Sequence, residues 1–437
     1  MCPVMGAEAP CALRVLMPRA LLDPQLQNLP CGNAEGLLPV QLDVADGAIA
    51  AIHCLHGAMG QRLPLALSPL VDAHAHLDKA FSWASHPNRQ GTMAAALAAN
   101  MQEAEARTAE HVFQRGERAL EQAWRYGLRA IRSHIDSGGS MAEPSWRALL
   151  ELQQRWRGRV DLQLVALVPL SHWSSAAGQR LAARVAAAGG LLGGVLGPPM
   201  ARSHQDRLHL HALLKQADQL GCGVDLHVDE SDANPALGLR QLVAVLQQWR
   251  PPVPITCSHA SSMGLVRLAR QRRLAEQLAQ LDVSVVALPT TNFWLLGREG
   301  DHDISLRPLA PVRALQRAGV AVALAADNVQ DPWFPGGDFD PLELLRFSSC
   351  VCHLSPWQRQ GLQPFTTVPA RLLGLSWDGI VRVGAPADLL VTNATSWGEL
   401  LARSPQRRVL RGGIWLKPPS SQQCDQRLAS LEEHAAF

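Results

Sequence analysis

The stretch PLVDAHAHLD, residues 69–78, decides the fold. Its apolar positions lead into His74 and His76, two imidazoles separated by one residue. In a strand, the period of two sends both rings to the same side, where two nitrogen ligands converge on one cation. A lone His-x-His is weak evidence, because histidines on a surface or packed in a core are commoner. This pair gains weight because seven further runs of the same kind follow it along the chain.

Those runs are LRAIRSHIDS (128–137), VDLQLVALVP (160–169), GLLGGVLG (190–197), GVDLHVDE (223–230), PITCSHAS (254–261), VSVVALPT (283–290) and VAVALAADN (320–328). Each is short, apolar and β-rich, and each is followed by a stretch of helical periodicity, the alternation expected of βα units and a parallel sheet. Eight units predict an α/β fold closed as a (β/α)8 TIM barrel. An open doubly wound sheet would bring a glycine-rich phosphate loop after its first strand, and none is present. Ionisable residues sit at the C-terminal ends of the runs: His74 and His76, His134 and Asp136, His227 and Glu230, His259, then Asp327. Active sites of such barrels form at that face.

Working outward, the barrel is assigned to residues 69–378. The flanks, 1–68 and 379–437, carry shorter strand signals: ALRVL, PVQLDV and AIAAIHCL before the barrel, IVRVGAPADLLVTNA and RRVLRGGIWL after it. Asp46-Gly47 marks a turn between two of them. Each flank is too short to bury a core alone, so the two are expected to pack together as a small β-sandwich, with loose ends at 1–10 and 418–437.

Composition narrows the function classes. With 437 residues, a hydrophobic fraction of 47% and a charged fraction of 18%, the chain has the make-up of a globular protein with a large core. A net charge of +2 leaves no basic excess for nucleic acid or an anionic membrane, so a small-molecule substrate is expected. The nine cysteines show neither a disulfide framework nor a C-x-x-C pair, which reads as a reducing, cytoplasmic setting. No leader pattern and no apolar run of about 18 residues suggests secretion or membrane insertion.

His227 supplies a third imidazole from the fifth strand and Asp327 a carboxylate from the eighth. Three neutral imidazoles and a carboxylate suit Zn2+ or Fe2+ and leave a position for water, whose pKa the metal lowers toward neutrality. A two-metal centre in this architecture often uses a carboxylated lysine at the end of the fourth strand. Here that strand ends LGPPM (196–200), so one metal ion is expected. Glu230, three residues past His227, is placed to shuttle protons at the pocket rim, and His259 completes the ring. Secondary candidates are His134 with Asp136 at the second strand, which would touch substrate or support a ligand, His172 just after the third strand, facing the substrate's outer edge, and Asp78-Lys79, read as a local ion pair or a pocket-closing element.

From about residue 69 to 415 the chain resembles the cytosine deaminase branch of the amidohydrolase superfamily. VDAHAHLDKAF resembles that family's first-strand metal motif, IRSHIDS its second-strand element, DLHVDE its His-x-Asp-Glu, TCSHASSM its Ser-His-x-x-x-Met, and ADNVQDPWFPGG its Asp-Asp/Asn-x-x-Asp-x-Trp-x-Pro segment. NFWLLGR (292–298) and GAPADLLV (384–391) are similar to further family elements. The resemblance implies metal ligation by His74, His76, His227 and Asp327, proton shuttling by Glu230, water orientation by His259 with Asp327 assisting, and substrate contact by Asn328 and Trp333. It also implies hydrolytic deamination of a small amino-substituted N-heterocycle: attack of metal-bound hydroxide on the amino-bearing carbon, then release of ammonia. Barrels of the family often associate, so a homo-oligomer is an expectation too.

One position departs from the pattern. Where cytosine deaminases carry a glutamine that reads the pyrimidine amide edge, this chain has Leu170, after Val168-Pro169. Leucine makes no such hydrogen bond, so cytosine itself fits poorly. HLDKAF and ADN also resemble the s-triazine aminohydrolases, which keeps alkylamine release from an N-alkylated ring as an alternative, beside opening of a cyclic amide. A catalytically silent barrel serving binding or assembly would be expected to have lost metal ligands, and every expected ligand is present.

Overall fold

Each of the eight apolar runs folds as one strand of a single parallel sheet in the computed structural model, which describes residues 12–27, 32–57, 61–198, 204–298, 307–403 and 405–417. The strands are β1 (Leu70–Ala75), β2 (Leu128–Asp136), β3 (Asp161–Leu167), β4 (Leu191–Leu196), β5 (Val224–Val228), β6 (Ile255–His259), β7 (Val283–Ala287) and β8 (Val322–Leu324). Every strand pairs with its neighbour in sequence, in parallel register. Beyond β8 the Asp327 N–H donates to the His74 carbonyl at 2.9 Å, and a parallel bridge joins Ala75 to Asp327, so the sheet closes on itself. The expected barrel is what forms.

Continuous burial explains why these strands read as unbroken apolar runs rather than alternating ones. Every residue of β1, β5 and β6 is buried. On the outer face Val71, Ala73, Ala130, Val286 and Ala323 pack against Val368, Ala370 and Leu373 around the helix Thr367–Leu372. The alternate positions of β1, Asp72 and His74, are buried polar residues. In β4 the pair Gly193-Gly194 is sterically required. A Cβ on Gly193 would lie 2.7 Å from the Ala166 carbonyl oxygen and 2.9 Å from that of Asp225, and one on Gly194 would lie 2.7 Å from Leu170 Cδ2. Surrounding helices follow the expected amphipathic spacing: in Ala109–Tyr126 the buried residues Val112, Gly116, Ala119, Leu120 and Ala123 form one stripe. Thr108 caps that helix by accepting the His111 N–H, and Gly127 ends it at φ 94°.

The chain forms two compact units, residues 69–379 and a second unit of 1–68 with 380–437. The second unit holds two sheets. Ala12–Pro18, Leu37–Ala45 and Ala48–Cys54 form an antiparallel meander, with Asp46 and Gly47 both at positive φ in the two-residue turn, as a hairpin of this length requires. Ala66–Leu67, Leu389–Thr392, Arg407–Arg411 and Ile414–Trp415 form an antiparallel four-stranded sheet. Cys54 is disulfide-bonded, a departure from the all-thiol reading of the sequence. Among the described residues, no helix is long and apolar enough to cross a membrane. The tails expected to be loose, 1–10 and 418–437, lie outside the described residues.

Candidate active site

The C-terminal ends of β1, β5 and β8 bring His74, His76, His227 and Asp327 to one point. His76 Nε2 lies 3.4 Å from His74 Nε2, 3.4 Å from His227 Nε2 and 3.3 Å from Asp327 Oδ1, while His74 Nε2 lies 3.4 Å from the same oxygen. Two ligands at about 2.0–2.1 Å from a tetrahedral centre are themselves about 3.3 Å apart, so these separations are those of a set arranged around one small cation. The chemistry of the donors agrees. Beyond the imidazoles at 3.3–3.4 Å, the buried oxygens of Asp327 meet no hydrogen-bond partner among the described residues. Burial alone would raise the Asp327 carboxyl, but His74 and His76 hold it well below the usual range. Burial lowers His74, and lowers His227 further, so both present neutral nitrogens with free lone pairs.

A line of buried groups sets the tautomer of His74. Asp225, on β5, is salt-bridged to Arg132 of β2 at 2.7 Å and accepts the Ser258 hydroxyl at 2.8 Å. Having donated its only proton, Ser258 Oγ accepts from His74 Nδ1, 2.8 Å away. Nδ1 therefore carries the hydrogen and Nε2 is left bare toward the cluster. Supporting hydrogen bonds of this kind orient metal-binding histidines and raise their basicity. None of Ser258, Asp225 and Arg132 was assigned a role from the sequence. The available signal was a charged residue in the middle of the apolar strand GVDLHVDE, two positions before His227.

Glu230 and His259 flank the cluster, 3.5 Å apart through Oε2 and Nε2. Burial, reinforced by the Asp327 charge, pushes the Glu230 carboxyl well above its ordinary value. The Asn292 amide donates to His259 Nδ1 at 3.1 Å, which leaves the hydrogen on Nε2. Burial first, with the neighbouring imidazoles adding, pushes His259 down to about 3. A neutral ring with Nε2–H is a hydrogen-bond donor rather than a ligand, in contrast to His74. His259 and Asp327 both take left-handed backbone angles, φ 69° and φ 64°. Such conformations cost about 1–3 kcal/mol each and turn the side chains at the strand ends. Asp229, also at φ 55°, serves the fold: its carboxylate accepts the Gly238 and Leu239 N–H groups at 2.7 and 2.9 Å, tying the end of β5 to the helix Leu237–Gln248.

A cavity of about 410 Å³ opens over the cluster. His76, His227, Glu230, His259 and Asp327 line its base, Val168, Pro169 and Leu170 one apolar wall, and Asn328 and Trp333 are also exposed to it. Asn328 spends its amide on Asp331, donating at 2.8 Å, while the buried indole N–H of Trp333 has no partner among the described residues. Two expected substrate contacts are corrected. His134 does not line the cavity: it is fully buried and stacked on His74, ring centroids 3.7 Å apart, with Asp225 Oδ2 at 3.6 Å. Its nitrogens lie close enough to those of His74 and His227 to belong to the same cation-binding cluster. His172 also stays off the cavity wall, because the 3-10 turn Leu170–Ser174 directs Leu170 and Ser171 inward and sets His172, half-buried, edge-on to Trp173. The Asp78-Lys79 pair does not form either: Lys79 bonds Asp136 and Asp78 bonds Arg107, each at 2.9 Å.

Residues 92–414 match the Amidohydrolase family. The chain is 32% identical over 388 residues to a pterin deaminase of Rhizobium rhizogenes (strain K84), spanning 86% of this chain and 87% of the relative. It is 24% identical over 338 residues to an N-isopropylammelide isopropyl amidohydrolase of Pseudomonas sp. (strain ADP), spanning 75% and 79%. Among solved structures, a 5-methylcytosine deaminase from Klebsiella pneumoniae liganded with 5-fluorocytosine is similar with a TM-score of 0.78 and 26% identity, over 94% of this chain and 98% of that one.

Proposed function

Since the chain belongs to the amidohydrolase family, we propose that it hydrolytically deaminates an amino-substituted N-heterocycle, with an amino-oxo pteridine as its substrate class. The observation that carries the reading is the ring of three imidazole nitrogens and one carboxylate oxygen at 3.3–3.4 Å, with Glu230 and His259 beside it at the base of a cavity. Support for the pteridine comes from the 32% identity to a pterin deaminase, from a cavity of about 410 Å³ that leaves room beyond a single pyrimidine ring, and from Leu170 where an amide-reading glutamine would favour cytosine.

We assign one divalent ion, Zn2+ or Fe2+, to His74, His76, His227 and Asp327; when bound it brings the pKa of water toward neutrality. The chain's own groups then divide the work. Glu230, whose carboxyl holds its proton at neutral pH, delivers that proton to the ring nitrogen beside the amino-bearing carbon. His259 donates Nε2–H to the attacking oxygen and fixes its line of approach, held by Asn292. Asp327 takes the proton given up by water and passes it to the amino group, which leaves as ammonia, while Glu230 recovers a proton from the new hydroxyl as the ring carbonyl forms. Val168, Pro169 and Leu170 exclude bulk water from one face of the ring.

The test is an ammonia-release screen of metal-loaded protein over pterins, pyrimidines, purines and aminotriazines, together with metal analysis. Turnover is expected to be highest on pterins, with about one equivalent of metal per chain. No ammonia from any of these rings would refute the reading, and two equivalents of metal would refute the single-ion assignment.

A further inference from the structure

The cavity has an asymmetry that the deamination chemistry does not use. Its Val168-Pro169-Leu170 wall offers a ring only apolar contact, whereas elsewhere the lining includes Lys79, Asn100 and Asp136. Lys79 is 3% exposed, an ammonium almost removed from solvent. Its Nζ donates to Asp136 Oδ1 at 2.9 Å, the one acceptor within hydrogen-bond distance among the described residues. An ammonium carries three N–H groups, so two remain for something inside the cavity. A buried donor left unpaired is costly, and the Trp333 indole N–H, with the Lys79 Nζ 6.0 Å from the Trp333 ring centre, is unpaired as well.

The groups around Lys79 decide which ligand chemistry fits. Asp136 Oδ2 is bonded by Arg107 at 3.3 Å, Arg107 also holds Asp78 and Glu103, and Arg115 pairs with Glu103. Three cations, Lys79, Arg107 and Arg115, face three carboxylates, Asp78, Asp136 and Glu103. The network is balanced, so Lys79 is not a spare charge waiting for a carboxylate or phosphate. Asp331 already acts on Lys79 as a further negative charge, so a full anion there would meet repulsion. A strong dipole with its oxygen outward, a ring carbonyl, satisfies the ammonium without adding that repulsion.

We propose that Lys79, held in place by Asp136, is a specificity-determining residue that donates to an oxo group of the substrate ring, supplying from the β1 side the polar readout that Leu170 cannot. This rests on the deaminase reading above and deepens it by naming the feature of the ring that is recognised. The required substrate is an amino-oxo ring, and rings bearing the amino group alone are discriminated against.

A matched pair of substrates tests this: pterin, with its 4-oxo group, and 2-aminopteridine, without it. The wild-type kcat/KM is expected to favour pterin by about 100-fold or more. In Lys79→Met the pterin value is expected to fall about 100-fold while that for 2-aminopteridine changes less than about threefold, at unchanged metal content. Because the single change strands the Asp136 carboxylate, Lys79→Met/Asp136→Asn is measured alongside it, with melting temperature and metal content as checks on folding. Parallel loss on both substrates, or a preference that survives in the double variant, overturns the assignment of Lys79 while leaving deamination intact. Absence of turnover of either ring by the wild type instead overturns the functional reading itself.

Discussion

Replacing Ser258 by alanine would remove a single oxygen from the line that runs from His74 to Arg132. His74 Nδ1–H then loses its acceptor at 2.8 Å and Asp225 Oδ1 its donor at 2.8 Å, while Asp225 Oδ2 keeps Arg132 at 2.7 Å. A buried polar group left unpaired costs about 1–3 kcal/mol, so the metal-free protein should lose about 2 kcal/mol or more. Freed from its partner, the His74 ring is no longer fixed in the tautomer that leaves Nε2 bare. Loss of such a supporting partner typically weakens metal binding about 10–100-fold, which is about 1.4–2.8 kcal/mol. Two measurements separate these effects. Competition against a chelator of known affinity gives the metal Kd, and chemical denaturation of the metal-free protein gives stability. With saturating metal, kcat should return to within about tenfold of wild type, since Ser258 does not line the cavity. A metal Kd within twofold of wild type would refute the argument that this line of hydrogen bonds prepares His74 for its ion.

Other perturbations probe separate parts of the site. Glu230→Gln cannot deliver or regain a proton, so kcat should fall about 10²–10⁴-fold with metal content unchanged; a near-normal rate would remove Glu230 from proton transfer. Leu170→Gln restores an amide to the apolar wall, and cytosine turnover should rise about tenfold or more; an unchanged rate would mean that wall does not meet the ring edge. Burial pushes the Asp331 carboxyl up to about 6, against the opposing donation from Asn328. The folded chain therefore retains a proton that the unfolded chain releases near about 3.9. The stability this contributes is complete below about pH 4 and is lost as pH rises through about 6. Metal-free wild type should thus outlast Asp331→Asn by more at about pH 5 than at about pH 8, and a pH-independent gap in melting temperature would show an unperturbed carboxyl.

The eight strands were legible because a barrel strand is covered on both faces and must spell an apolar run, and each such run proved to be one strand. The gathering of His74, His76, His227 and Asp327 was legible because the C-terminal ends of successive barrel strands converge, so ionisable residues placed there meet. The supports were not. Ser258 and Asn292 are small neutral side chains whose roles exist only in the folded barrel: β1 and β6, 184 positions apart at His74 and Ser258, meet across its interior, and Asn292 reaches His259 from the helix Pro289–Leu295. Asp78 and Lys79 adjoin in sequence yet face different partners, Arg107 and Asp136, because successive residues past a strand end point apart. His172 failed as a cavity residue for a similar reason: a 3-10 turn was not foreseen after β3, and it rotates residue 172 away while carrying 170 in.

The bond from the Asp327 N–H to the His74 carbonyl closes the barrel, and both residues also reach into the metal cluster with their side chains. Seam and reaction centre are thus one place. Breathing of the barrel at that joint would pull a carboxylate and an imidazole apart together, so a bound ion would act as a rivet, and its departure and the loosening of the wall would be coupled events. Heat inactivation should then begin by shedding metal, well before the other strand pairs let go.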